Sequence, residues 1–299
     1  MKNIAVVLCI VLVMLVGTSC VHHYPYEPDY WFQALGSEGE YVLTANVERL
    51  KNGEGTEIID SSILSNSIAS KASRISLSMV ADEKEEDTYP LALSSFIKSG
   101  AIEGNYSPFV INNTLKFSGC VSVKENGLKR YKSGAISVYA PMKNLILFTE
   151  GDYDYLYQRT IEEREKLIDD ETASIMASSL FSVYVFSPDT LVDIGFEIPQ
   201  AVLSEMTRTC IIFDEVNGVL VMSGRIETTG DGTARALMTL FKNQIVQEKR
   251  RNGEKLDTKA LSGMFTTKES VVYVDGYPLS GGMKDKAKSL MSEGIGGLF

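Results

Sequence analysis

The rhythm of apolar and polar positions changes along the chain, and each change marks an element. Ile4 to Val16 is thirteen residues without a polar side chain. From Val21 to Leu35 aromatics and prolines alternate irregularly, and Pro25 and Pro28 rule out a helix there. Tyr41–Val47 is rich in β-branched and aromatic residues and reads as a strand. Ile59, Ile63 and Ile68 then recur near one helical face, opened by Thr56 or Asp60 and running to about Lys71. Ile75, Leu77 and Met79 alternate with Ser76 and Ser78, the period-2 pattern of a half-buried strand. After an acidic loop, Asp82 to Asp87, Thr88 and Pro90 open a second expected helix with Leu93, Phe96 and Ile97 at helical spacing and Gly100 as its stop. Short strands follow: Leu115–Phe117, Val121–Val123, Ala135–Tyr139 and Leu145–Phe148, with Asn126-Gly127 as a type I′ hairpin turn.

Asp152 to about Ser178 reads as a connecting helix, with Tyr153, Tyr157, Ile161 and Ile168 as its apolar stripe and Glu162 and Lys166 an i,i+4 step apart. Beyond it come a strand at Ser182–Phe186 and a short helix near Pro199 burying Val202, Leu203 and Met206. Cys210–Phe213 and Val219–Ile226 flank a second hairpin turn, Asn217-Gly218. Asp231 and Thr233 open a long helix to about Arg251, its buried face Leu237, Leu240, Phe241 and Ile245, with Gly253 as the stop. Ser270–Val274 closes the pattern, and the order β-α-β-β-α-β is the split βαβ arrangement called ferredoxin-like.

These elements predict an α+β protein of two ferredoxin-like halves. Residues 36–151 form the first, with an added antiparallel meander; 152–178 connect; 179–290 form the second; and 291–299 are a glycine-rich tail expected to be mobile. The halves resemble one another. Ala92–Lys98 parallels Ala236–Lys242, and Leu145–Gly151 parallels Ser270–Gly276, as a duplicated unit would.

The N-terminus places the protein. Lys2 supplies a positive n-region before the apolar run, and Gly17-Thr18-Ser19 brings small residues up to Cys20. Residues 1–19 therefore read as a secretory signal peptide. Cys20 behind those small residues resembles the lipobox of bacterial lipoproteins, in the loose form typical of spirochaetes. That resemblance covers residues 1–20 and implies a diacylated Cys20 as mature N-terminus, residues 20–35 as a lipidated tether, and a place in the cell envelope, at the outer membrane or surface. Two other fates stay open: simple cleavage after Ser19, and an uncleaved anchor, for which thirteen helical residues rise only about 20 Å against a roughly 30 Å hydrocarbon core.

Charge and cysteine content narrow the function. The full sequence carries −10, and losing the signal removes Lys2 and leaves the mature chain one unit more acidic. Such acidity disfavours a nucleic-acid partner. Of four cysteines, only Cys120 and Cys210 belong to the body, as one disulfide or as two separately buried thiols. Histidine occurs only at His22 and His23, so Ser-His-Asp and Cys-His chemistry have no base beyond Gly36. Neighbouring His22 and His23 do not converge on one metal ion unaided.

Other candidate groups have plainer explanations beside the chemical one. Gly230-Asp231-Gly232 precedes a helix where a phosphate loop would lie, but Arg235 stands where a third glycine belongs, and a helix cap accounts for it. Glu150, Asp152 and Asp154 offer calcium ligands or a helix cap. Tyr153, Tyr155 and Tyr157 offer a sugar or protein contact or core packing. No catalytic, cofactor-binding or metal residue is assigned; Cys20 is the one predicted site, for lipid. The leading expectation is a non-enzymatic envelope lipoprotein that binds a protein or envelope component, held to the membrane by its acyl chains. A carboxylate-dependent enzyme acting on glycans and a carrier of small apolar ligands are the alternatives.

Overall fold

The computed structural model describes residues 29–36, 41–56, 68–81, 96–188, 199–251, 253, 258–279, 284–285, 287–289 and 291. The signal, Cys20, His22, His23, the acidic loop and residues 292–299 of the tail lie outside the described residues, as do most of the two helices expected between residues 57 and 95, whereas Met291, counted in the tail, is buried in the core.

Among the described residues twelve strands form a single sheet, and every neighbouring pair is antiparallel. In chain order they are β1 (Tyr41–Asn46), β2 (Ala72–Ala81), β3 (Phe96–Gly104), β4 (Val121–Glu125), β5 (Leu128–Ser133), β6 (Ile136–Met142), β7 (Leu145–Thr149), β8 (Phe181–Val185), β9 (Met206–Val216), β10 (Val219–Thr228), β11 (Phe265–Lys268) and β12 (Val271–Pro278). Across the sheet the order is β11-β12-β10-β9-β8-β1-β2-β3-β7-β6-β5-β4. The mixed α+β class is as expected. The ferredoxin-like halves are not: a split βαβ unit sets two strands running the same way with a third inserted between them, whereas β8, β9 and β10 pair in chain order, each antiparallel to the one before. Both halves instead share one continuous sheet, joined where β1 pairs with β8.

The helices with described bounds are α1 (Val47–Lys51), α2 (Pro108–Phe117), α3 (Tyr153–Tyr157), α4 (Asp170–Ser178), α5 (Gln200–Leu203), α6 (Asp231–Arg251) and α7 (Thr258–Met264). Several differ from the sequence reading. Phe96–Gly104 is a strand, so the periodicity around Leu93 and Ile97 misleads there. Leu115–Phe117 ends a helix rather than forming a strand. The connecting helix is broken: α3 runs into a π turn at Gln158–Glu163, Arg164 turns left-handed at φ 47°, and Asp169 caps a fresh helix by accepting from the Thr172 amide. Met206 begins β9 instead of ending a helix.

Two apolar layers sandwich the sheet. Leu43, Leu77, Phe148 and Val183 share one face with Val47 and Leu50 of α1 and Ala234 and Leu237 of α6. Val42, Leu147 and Tyr184 lie on the other with Leu156 of α3, Met176 of α4 and the 3-10 turn Trp31–Ala34. Trp31, Phe32 and Leu35 are buried, so the predicted tether ends before them and this strap belongs to the body. The Gln33 side chain donates to the Ile168 carbonyl at 2.9 Å, the Leu167 amide donates to the Gln33 carbonyl at 2.9 Å, and the Arg164 guanidinium stacks 4.3 Å above the Trp31 ring. Cys120 and Cys210 are both free, which removes the disulfide alternative.

Strand register relates the two halves. Leu43 faces Val183 at the centre. Outward from there the first half runs Leu43–Leu77–Gly100–Phe148 and the second Val183–Ile211–Gly224–Val274. A glycine occupies the third place in both. At Gly100 an added Cβ would sit 2.5 Å from the Ser76 carbonyl oxygen, and at Gly224 3.2 Å from that of Cys210, the residue matching Ser76. The register also aligns the cross-strand pair Arg74–Glu103 with Arg208–Glu227. Of the two sequence parallels, Leu145–Gly151 with Ser270–Gly276 names the right strands one residue out of step, since Phe148 aligns with Val274 and not Tyr273. A one-residue slip exchanges the two faces. The other parallel fails, because Phe96–Lys98 lies in β3 and Ala236–Lys242 in α6.

Candidate functional site

The groups singled out from the sequence are engaged in structure. Asp152 caps α3, accepting from the amides of Asp154 at 2.8 Å and Tyr155 at 3.4 Å, and the Glu150 carboxylate accepts from the Lys98 amide at 3.0 Å. Asp154 binds Arg130 and the Asn126 side chain at 2.6 and 2.7 Å. Tyr153 is buried with its ring tilted 6.5 Å from that of Tyr157, whereas Tyr155 is exposed beneath the Arg159 guanidinium. Asp231 opens α6, and the Gly230 carbonyl takes the Ala234 amide at 3.0 Å. Among the described residues no three His, Cys, Asp or Glu side chains are placed to hold a metal ion. Burial pushes the Cys210 thiol up to about 12, against the opposing pull of Arg225.

The exceptional surface is one the sequence reading did not mark. It is the lobe made by α2 and the β4–β5–β6 meander at one end of the sheet. Ser107 in extended conformation followed by Pro108 at the first turn starts α2, because proline fixes φ and lacks only an amide that would be unpaired there. The Ser118 amide closes the helix on the Thr114 carbonyl, and Gly119 at φ 90° lets the chain turn into β4.

A polar side chain sets how α2 sits. The ladder between β6 and β7 shifts register between Tyr139 and Met142, which leaves the buried Ala140 in a bulge. Asn112 fills the gap: its Nδ2 donates to the Ala140 carbonyl at 3.0 Å, and its Oδ1 accepts from the Ala140 amide at 3.1 Å. Ile111 packs on the sheet beside it. With Asn112 and Ile111 turned inward, the 100° step per residue carries Phe109, Val110 and Phe117 to the opposite side. No residue of α2 is fully buried. Phe109 is 77% exposed, Phe117 83% and Val121, at the start of β4, 65%. Scattered single apolar residues are ordinary on a protein surface, and four large ones on one small lobe are not.

The lobe's charge is also out of character with the chain. Between Tyr106 and Thr149 lie six basic residues (Lys116, Lys124, Lys129, Arg130, Lys132 and Lys143) and one acid, Glu125, a local +5 in a chain of net −10. Arg130 is spent internally on Asp154 and Glu125, and Lys129 lies 5.1 Å over the Tyr131 ring. Lys116 and Lys124 are exposed. β4 is the last strand of the sheet, so no described strand pairs with its outer edge. Charge counted in windows, together with the Ser107-Pro108 helix start, would have found the lobe from sequence; overall charge conceals it.

No family profile and no curated protein matches the chain. Among solved structures, three crystal forms of a protein designated TP0453 are similar in fold. Form IV superposes with a TM-score of 0.56 at 12% identity, covering 87% of this chain and 96% of that one. Form I gives 0.54 at 12% over 91% and 99%, and form III 0.52 at 11% over 91% and 98%. The likeness extends over nearly the whole of both chains and concerns the fold.

Proposed function

We propose that this chain is a cell-envelope lipoprotein, anchored through acyl chains on Cys20, whose folded body is a non-enzymatic module that binds another protein through the α2–β4 lobe. The observation that carries the reading is α2 itself, held to the sheet by an asparagine while Phe109 and Phe117 face outward. The strap supports the anchoring half. It enters the body at Trp31, and the nine residue steps from Cys20 to Asp29 span at most about 30 Å, so the body stays close to its membrane.

Two measurements test the reading. Cys20→Ser should move the mature protein from the detergent phase to the aqueous phase, because acylation requires the thiol; unchanged partition would remove the anchor. A photo-crosslinking residue in place of Phe117 should give a discrete protein adduct in intact cells, while one in place of exposed Ile175 on α4 should not. Equal patterns from the two positions would refute the lobe as the binding surface.

A further inference from the structure

We infer that the lobe's partner is an acidic polypeptide segment that adds to the outer edge of β4 as a further strand, its apolar side chains meeting Phe117 and Val121. This rests on the proposed binding role and names the partner's chemistry. Three observations converge on it. The edge of β4 offers a row of backbone donors and acceptors with no described strand beside it, which an extended peptide satisfies. Lys116 and Lys124 are exposed in a lobe of net +5, so acids on the incoming strand are drawn to it and bases repelled. Phe117 at 83% and Val121 at 65% exposure flank the turn into β4 and supply apolar contact.

Alternating acid and apolar residues fit both demands, because a strand presents successive side chains to opposite faces. A second copy of the chain meeting this one lobe to lobe would set +5 against +5, since a twofold contact brings the same patch together. An anionic lipid surface would answer the charge and the phenylalanines but not the backbone row.

The test uses the full mature chain carrying Cys20→Ser and three fluorescent octapeptides: one alternating glutamate with valine, one alternating lysine with valine, and the glutamate peptide with alternate amides N-methylated. The glutamate peptide should bind, at least about tenfold more tightly than the other two, and weaken as salt rises. The double variant Lys116→Glu/Lys124→Glu should lose about tenfold in affinity, with its circular dichroism and melting temperature unchanged. Equal binding of the N-methylated peptide would overturn strand addition, and equal binding of the lysine peptide would overturn the acidic partner. Binding to phosphatidylglycerol vesicles that the double variant abolishes, without peptide binding, would assign the lobe to lipid. Self-association lost in the same variant would assign it to a second copy. A crosslink from position 117 in cells without peptide binding sinks this inference alone; loss of both sinks the binding role as well.

Discussion

Asn112 makes the most exposed test of how the lobe is built. Asn112→Ala removes a donor and an acceptor that together satisfy the Ala140 carbonyl and amide at 3.0 and 3.1 Å. Ala140 is 1% exposed and lies in a bulge, so both groups are left buried without their partner. An unmet buried group costs about 1–3 kcal/mol, which puts the pair at about 2–6 kcal/mol. The sheet does not bear that cost. Helix α2 has ten residues, none fully buried, and a helix so short is marginal without its contacts, so it detaches before the strands separate. Hydrogen exchange should show it: the amides of residues 112–117 should exchange at least about 30-fold faster, by the rule of tenfold per 1.4 kcal/mol, while those of β1 and β8 keep their rates. Asn112→Leu separates the hydrogen bonds from packing, since it fills similar space and leaves Ala140 unmet. Wild-type exchange in α2 of the leucine variant would refute the argument that the amide holds the helix.

Three further outcomes follow from the geometry. Gly100→Ala brings a Cβ to 2.5 Å from both the Ser76 carbonyl and the Phe148 ring, and should destabilise by about 3 kcal/mol or more in urea, whereas Gly224→Ala, at 3.2 Å from one carbonyl, should stay within about 1 kcal/mol; equal losses would show that the matching places are not built alike. Gly218→Val sets a β-branched residue at φ 77° in a type I′ turn and should cost about 1 kcal/mol or more, so an unchanged melting temperature would mean a different turn. Burial lifts the Cys210 thiol to about 12, so at pH 8 it stays protonated and a thiol reagent should modify Cys120 rapidly and Cys210 only on unfolding; equal native rates would contradict the buried site.

What was legible in the sequence was local. Asn126-Gly127 and Asn217-Gly218 announce two hairpins, and both pairs adopt positive φ, at 49° and 84° and at 54° and 77°. The cap at Asp231 and the apolar stripe from Leu237 foretell α6, which runs to Arg251. The misreadings share two causes. Phe96 and Ile97 fit helical spacing within a short window, yet β3 is held between β2 and β7, and pairing overrides local preference. Leu115 and Phe117 look like an alternating strand only if Ser107-Pro108 is passed over as a helix start. Topology was beyond reach for a different reason: nothing in the pattern of β2 says which strands lie beside it, so strands paired in chain order and a split βαβ unit fit the same string of elements. The lobe was hidden because its basic residues cancel against the acids elsewhere in the overall charge.

The aligned pairs Arg74–Glu103 and Arg208–Glu227 put one chemical motif into two solvents within one molecule. The first is dry, with side chains 4% and 0% exposed and Phe32 of the strap 5.6 Å beneath the guanidinium. In the second Arg208 is open to water, and Glu227 pairs with Arg225 at 3.2 Å. Removing one partner of a dry pair strands a charge and costs about 3–5 kcal/mol, while a wet pair is worth at most about 1 kcal/mol. The two matching positions are therefore under unequal constraint. Where the strap lies, arginine and glutamate can be exchanged only together; where water reaches, either can change alone.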